Sequence, residues 1–114
     1  MAAHLDEVYQ VDLINGYVIL GHKDMDLACI QHPSVGTIVG DAKYPIDSYV
    51  LEYAMVNNYI IGSLFDNTDR TKSHFIIDTV SHTIDFEASS ALYMKKLGAL
   101  GIRNPDVYNR PPRR

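Results

Sequence analysis

Cysteine is nearly missing from this chain. Cys29 is the single one among 114 residues, so no internal disulfide can form. It sits in the apolar run Leu27-Ala28-Cys29-Ile30, where a free thiol is expected to serve as a small buried hydrophobe. Disulfide-free chemistry of this kind suits a reducing, cytoplasmic location. Long apolar runs are missing too: nothing approaches the roughly 20 residues that cross a bilayer as a helix, and no membrane association is expected. The opening residues Met1-Ala2-Ala3-His4-Leu5-Asp6-Glu7 carry neither a basic nor an apolar signal region, so no secretory signal is expected there. Repeats and low-complexity tracts are absent.

Basic residues are scarce in most of the chain. Met1–Ile102 hold six bases and thirteen acids, a net of −7, whereas Arg103–Arg114 hold four bases and one acid, a net of +3. An acidic body repels phosphate backbones, which argues against direct nucleic-acid binding by the folded part. The composition breaks at the same point. After Ile102 come three prolines and four arginines with little apolar content beyond Val107 and Tyr108. The expected organisation is one domain over residues 1–102 and a basic Pro/Arg tail over 103–114. The tail is either solvated or an arm that docks on a neighbouring molecule through Val107 and Tyr108.

The motifs of several chemistries are also lacking. Five histidines are present, yet none falls in the spacings of a zinc site. The close acid pairs Asp24/Asp26, Asp66/Asp69 and Asp85/Glu87 lack the calcium-loop pattern. Ser34 and Ser63 lack a nucleophile-elbow context, and no glycine-rich phosphate loop occurs. No catalytic residue, metal site or cofactor is therefore assigned. A hairpin turn near Val80 could bring His74 and His82 together, a hint of a paired site.

What is present is β-rich patterning. Val8–Ile14 alternates and is followed by Asn15-Gly16, a strong hairpin signal. Further strands are expected at Tyr17–Gly21, Asp26–Gln31, Thr37–Val39, Tyr59–Phe65 and Ser73–Thr79, and Ile84–Phe86 is either a short edge strand or a lead-in to a helix. Tyr49–Val56 has residues suited to a helix, but its β-formers and the two-residue Asn57-Asn58 connection favour strand. One helix is expected, over Ala88–Leu100, with Ala88, Leu92, Met94, Leu97 and Leu100 near one another and Ser89 or Ser90 at its start. The fold class is α+β, mainly β: an antiparallel meander of six or seven strands with one C-terminal helix.

The order Val50-Leu51-Glu52-Tyr53-Ala54, Asn57-Asn58-Tyr59-Ile60-Ile61-Gly62, His74-Phe75-Ile76-Ile77-Asp78-Thr79 and Leu97-Gly98-Ala99-Leu100-Gly101-Ile102 loosely resembles a group of small uncharacterised bacterial proteins. They share an aromatic-Ile-Ile strand, an aromatic-Ile-Ile-Asp strand and a helix ending in Leu-Gly-Ile. The resemblance covers Val50–Ile102 and rests on structural residues, so it implies no catalytic ones. It implies an immunity-protein-like role, since similar small acidic proteins stand beside bacterial toxins.

Eight tyrosines add to this picture, because tyrosine beside acids is the composition of a protein-binding surface. Asp41, Tyr44, Asp47, Asp66 and Asp69 are the expected partner-binding residues, facing a protein with a basic surface such as a toxin or a nuclease-type target. The functional expectation is a non-enzymatic inhibitor, most simply an immunity protein. The alternatives are a phage-encoded inhibitor of a nucleic-acid-handling defence complex, a structural or oligomeric subunit that self-associates through its C-terminal arm, and a small hydrolase with a His/Asp site.

Overall fold

A computed structural model describes residues 8–22, 25–40 and 48–112. Among the described residues eight strands and one helix follow in order: β1 (Val8–Asp12), β2 (Val18–His22), β3 (Met25–His32), β4 (Gly36–Val39), β5 (Ser48–Val56), β6 (Tyr59–Asp66), β7 (Thr71–Asp78), β8 (Thr83–Glu87) and α1 (Ser90–Ala99). The mainly β class with one late helix stands. The single meander of six or seven strands does not: the strands form two four-stranded antiparallel sheets, β1-β2-β3-β4 and β5-β6-β7-β8.

The reason lies in β6 and β7. Ile60, Ile61, Leu64, Phe75, Ile76 and Ile77 are all buried, so both faces of the second sheet are apolar and each needs a cover. Val50, Ile60, Leu64, Phe75 and Ile77 face the first sheet and pack with its Tyr17, Ile19, Ile30 and Val39. Ala54, Ile61 and Ile76 face the other way and pack with Tyr93 and Leu97 of α1 and with Ile102. The molecule is thus layered sheet, sheet, helix, and β6 lies in the middle.

A bulge tunes this sorting. Val50 pairs with Leu64 and Glu52 with Ser63, leaving Leu51 as an extra residue. One added residue reverses the alternation, so Val50 and Tyr53 point to the same sheet interface although they are three apart. Opposite the bulge, Gly62 is tight: a Cβ there would collide with the Glu52 carbonyl oxygen and lie 2.9 Å from Tyr53 Cα.

The turns follow their residue types. Asn57 takes the left-handed conformation (φ 54°) in the two-residue connection between β5 and β6, with Val56 paired to Tyr59. The strand expectation for Tyr49–Val56 holds. Asn15 and Gly16 also have positive φ, but Asp12 pairs with Val18, so the hairpin is longer than a two-residue turn and includes a short 3-10 turn.

Ser89 caps α1, its hydroxyl accepting the Leu92 N–H at 3.3 Å. At the other end Gly101 (φ 73°) follows the helix. The Gly101 N–H bonds the Gly98 carbonyl at 3.0 Å, and the Ile102 N–H bonds that of Leu97 at 2.9 Å, a Schellman ending. The buried helix face is Tyr93 and Leu97, whereas Leu92, Met94 and Leu100 are exposed. The expected face through Leu92 and Met94 is corrected: Tyr93 stacks on His74 with ring centroids 4.4 Å apart, and this fixes the helix rotation.

The C-terminal arm turns back on its own chain. Asn109 and Tyr53 exchange two backbone hydrogen bonds of 2.8 and 2.9 Å, and Tyr108 packs on the helix-side core. Val107 is 79% exposed. Of the two residues expected to reach a neighbour, Tyr108 is therefore engaged within the chain.

Candidate functional site

Asp41, Tyr44 and Asp47 lie outside the described residues. Asp66 and Asp69 share the β6–β7 turn, and their roles differ. The Asp66 carboxylate accepts the N–H groups of Thr68 at 2.8 Å and Asp69 at 3.2 Å, a side-chain turn that occupies it locally. Asp69 is exposed and better suited to meet a partner. The same turn holds Arg70, whose guanidinium lies 5.3 Å from the Phe65 ring centroid, so its acidity is partly offset.

The histidines sort differently from the sequence expectation. His74 pairs with Glu87, and Asp78 with Thr83, so His74 and His82 stand at opposite ends of the hairpin. His82 instead meets the first sheet: its Nδ1 is 2.7 Å from the Tyr17 hydroxyl, and its ring centroid is 4.7 Å from that of His32. Tyr17 is fully buried. Burial, then the negative charge of Asp78, raises its pKa, so the phenol keeps its proton. Among the described residues no three His, Cys, Asp or Glu side chains gather as a metal site would require.

Two concavities flank α1. The first, about 180 Å³, lies near the helix N-terminus between Glu52, His74, Ser90, Tyr93, Asn104 and Tyr108. Ser90 Oγ is 3.1 Å from His74 Nε2. Burial, with help from Lys72, lowers the His74 pKa against the opposing pull of Glu52 and Glu87, so the ring is neutral at pH 7. This is half of a nucleophile–base arrangement. Among the described residues no carboxylate hydrogen-bonds His74, whereas a full triad has an orienting acid there. Tyr93 and Tyr108 close the floor through a hydroxyl contact of 3.0 Å, and Tyr108 donates to Asn104 Oδ1 at 2.7 Å. Burial pushes the Tyr93 pKa far up. The cluster reads as a polar seam that fastens helix and arm to the sheet.

The second is larger, about 330 Å³, and opens along the C-terminal half of α1. Tyr59, Ile76, Ile84, Ala99 and Leu100 supply its apolar surface, and Asp78, Asp85 and Lys96 its polar rim. The Asp78 carboxyl accepts the N–H groups of Ser81 and Val80, which hold it below the usual carboxylate range. Lys96 Nζ bridges Asp85 and Glu87, at 3.1 Å from each. Two carboxylates against one ammonium leave this rim at −1, and Glu87 joins it only through Lys96. Leu100 is 43% exposed. Sequence reasoning missed this groove because its members come from β6, β7, β8 and α1. Of the apolar residues that the sequence put on one helix face, Leu100 lines this groove, Met94 lines the first concavity and Leu92 lines neither.

Among the described residues no helix is long and apolar enough to cross a membrane. No protein-family model, curated protein or solved structure gives a significant match to this chain.

Proposed function

We propose that this protein is a non-enzymatic, protein-binding inhibitor of the immunity-protein type, neutralising a toxin through an acidic surface. The observation that carries the reading is the groove along α1, where an apolar floor is bordered by Asp78 and Asp85 against a single Lys96, which Glu87 also holds. Apolar surface gives a partner something to bury, and the surrounding acid speeds encounter with a basic surface and selects for it. A nuclease is the natural target class, because its phosphate-binding site is positive.

The test is co-expression with the product of the neighbouring gene in a strain that this product alone kills. Growth is expected to be restored by the native chain and lost with Leu100→Glu, which charges the groove at an exposed position. The fold of that variant is checked by circular dichroism. Absence of any rescue by the native chain, with both proteins produced, overturns the reading. Loss of rescue with Asp69→Lys but not Leu100→Glu moves the interface to the β6–β7 turn.

A further inference from the structure

Four hairpin tips meet at one end of the molecule. The turns β1–β2, β3–β4, β5–β6 and β7–β8 close there, whereas β2 and β4 end, and β5 begins, at the opposite one. Side chains lock the tips together across the two sheets. Asn15 Nδ2 donates to Thr79 Oγ1 at 2.8 Å, and Thr79 donates to the Asn58 carbonyl at 2.6 Å. The Ile14 N–H reaches Met55 Sδ at 3.3 Å, and the His82 ring meets those of Tyr17 and His32. His32 fixes its own turn, its Nδ1 accepting the Ser34 N–H at 3.0 Å. Asn15, Asn57 and His82 all have left-handed backbones, a conformation that persists only where the surroundings hold it. On this fixed platform Val35, Met55 and Val80 are exposed, at 40%, 39% and 67%.

We infer that the partner docks end-on against these four tips, with Val35, Met55 and Val80 as apolar anchors for a protein surface that has an apolar centre and a basic margin. The inference rests on the protein-binding reading above and extends its contact from the groove onto the first sheet. Two observations choose the occupant. Tyr59, Asp78 and Thr83 line the groove and flank the β5–β6 and β7–β8 tips, so groove and tips form one continuous surface. Residues 12–18, 32–36, 55–59 and 78–83 hold two acids, Asp12 and Asp78, and no lysine or arginine. A basic partner therefore meets no lysine or arginine there, and an acidic one finds nothing to pair with. Tips fixed before binding also lose little conformational freedom on contact, so more of the burial of the three anchors is left as affinity.

The probe is the purified product of the neighbouring gene, titrated calorimetrically with the intact chain and with single variants. Val35→Glu and Val80→Glu, in turns of different sheets, should each weaken binding on the order of tenfold, the scale of one interface anchor. Val8→Glu is the control, since Val8 is 55% exposed at the opposite end, and it should bind like the native chain. Val35 decides the matter, because it belongs to the first sheet and does not line the groove. Circular dichroism and urea midpoints check the fold of each variant. Where Val35→Glu does not fold, Val35→Ala replaces it, with a loss of about fivefold expected. Native-like binding by the folded Val35 variant overturns the inference. If Leu100→Glu still abolishes binding in that case, docking is confined to the groove and the inhibitor reading stands. A native dimer in light scattering that Val80→Glu disperses also overturns it, because the occupant is then a second copy. Failure of the native chain both to bind and to rescue growth removes the inhibitor reading and this surface with it.

Discussion

The Tyr17 hydroxyl and His82 Nδ1, 2.7 Å apart, tie the first sheet to the β7–β8 turn of the second. Tyr17 is fully buried, whereas His82 is exposed. The two ends of this bond are unequal. Replacing Tyr17 by Phe removes the hydroxyl and leaves an exposed histidine that water can serve, at a cost of about 0.5–1.5 kcal/mol. Replacing His82 by Ala leaves a buried hydroxyl without its partner, at about 1–3 kcal/mol. Urea denaturation of both variants should show the larger loss for His82→Ala. The reverse order would mean that Tyr17 finds another partner.

Gly62 should tolerate no side chain. The atoms that meet a new Cβ are the Glu52 carbonyl and Tyr53 Cα, which are backbone and cannot rotate away. Gly62→Ala is expected to destabilise by about 1–3 kcal/mol, the scale of overpacking a filled interior. Gly98→Ala is the control, since a Cβ there meets nothing within 4 Å and alanine favours helix by up to ~1 kcal/mol. The two substitutions should move the melting temperature in opposite directions.

This contrast also shows what the sequence made legible. Local chemistry was readable: Asn57-Asn58 marked a turn, Ser89 a helix start, and the alternation of β-formers marked most strands. Long-range placement was not. Ile60-Ile61 reads as an apolar run in sequence, but only the packed structure shows the two residues pointing to different layers. The Leu51 bulge is invisible in sequence because it is a register event, needing Leu64 and Ser63 across the strand pair to define it. The site fared similarly. Charge asymmetry pointed to acids, yet Asp66 is occupied by its own turn, and the groove acids Asp78 and Asp85 become neighbours only through pairing of β7 with β8.

The C-terminal arm should behave as part of the domain. Tyr108 holds Asn104 and Tyr93, and Asn109 pairs with Tyr53. Tyr108→Phe removes the hydroxyl from this chain of bonds and should cost about 0.5–1.5 kcal/mol. Deleting residues 103–114 should cost more, because the backbone pairing and the burial of Tyr108 go with them. Thermal unfolding checks the order. Light scattering of the same deletion separates an intramolecular arm from an oligomerisation arm: the intramolecular contacts predict no decrease in assembly size.

His74 should give the protein a stability that weakens on mild acidification. Burial is the main cause of its lowered pKa, Lys72 adds to it, and Glu52 and Glu87 oppose it. The folded state therefore takes up this proton at lower pH than the unfolded chain, whose histidine titrates near 6.5. Between the two values the unfolded state binds more protons, so stability rises with pH there. The contribution is level above the unfolded value and is lost as pH falls from that value through the folded one. Asp78 and Glu87, also lowered, act in the same direction in a more acidic window, below the ordinary carboxylate range. Urea midpoints measured through mildly acidic to neutral pH should fall as His74 protonates, and His74→Gln should flatten that part of the curve while leaving the more acidic loss in place. Proton NMR titration of the His74 ring reads the lowered value directly, and a native-state value above the unfolded one would reverse the sign of the prediction. Ser90→Ala, which removes the hydroxyl 3.1 Å from Nε2 and leaves the stacking on Tyr93 intact, should preserve the lowered pKa, because burial and not that hydrogen bond is its chief cause.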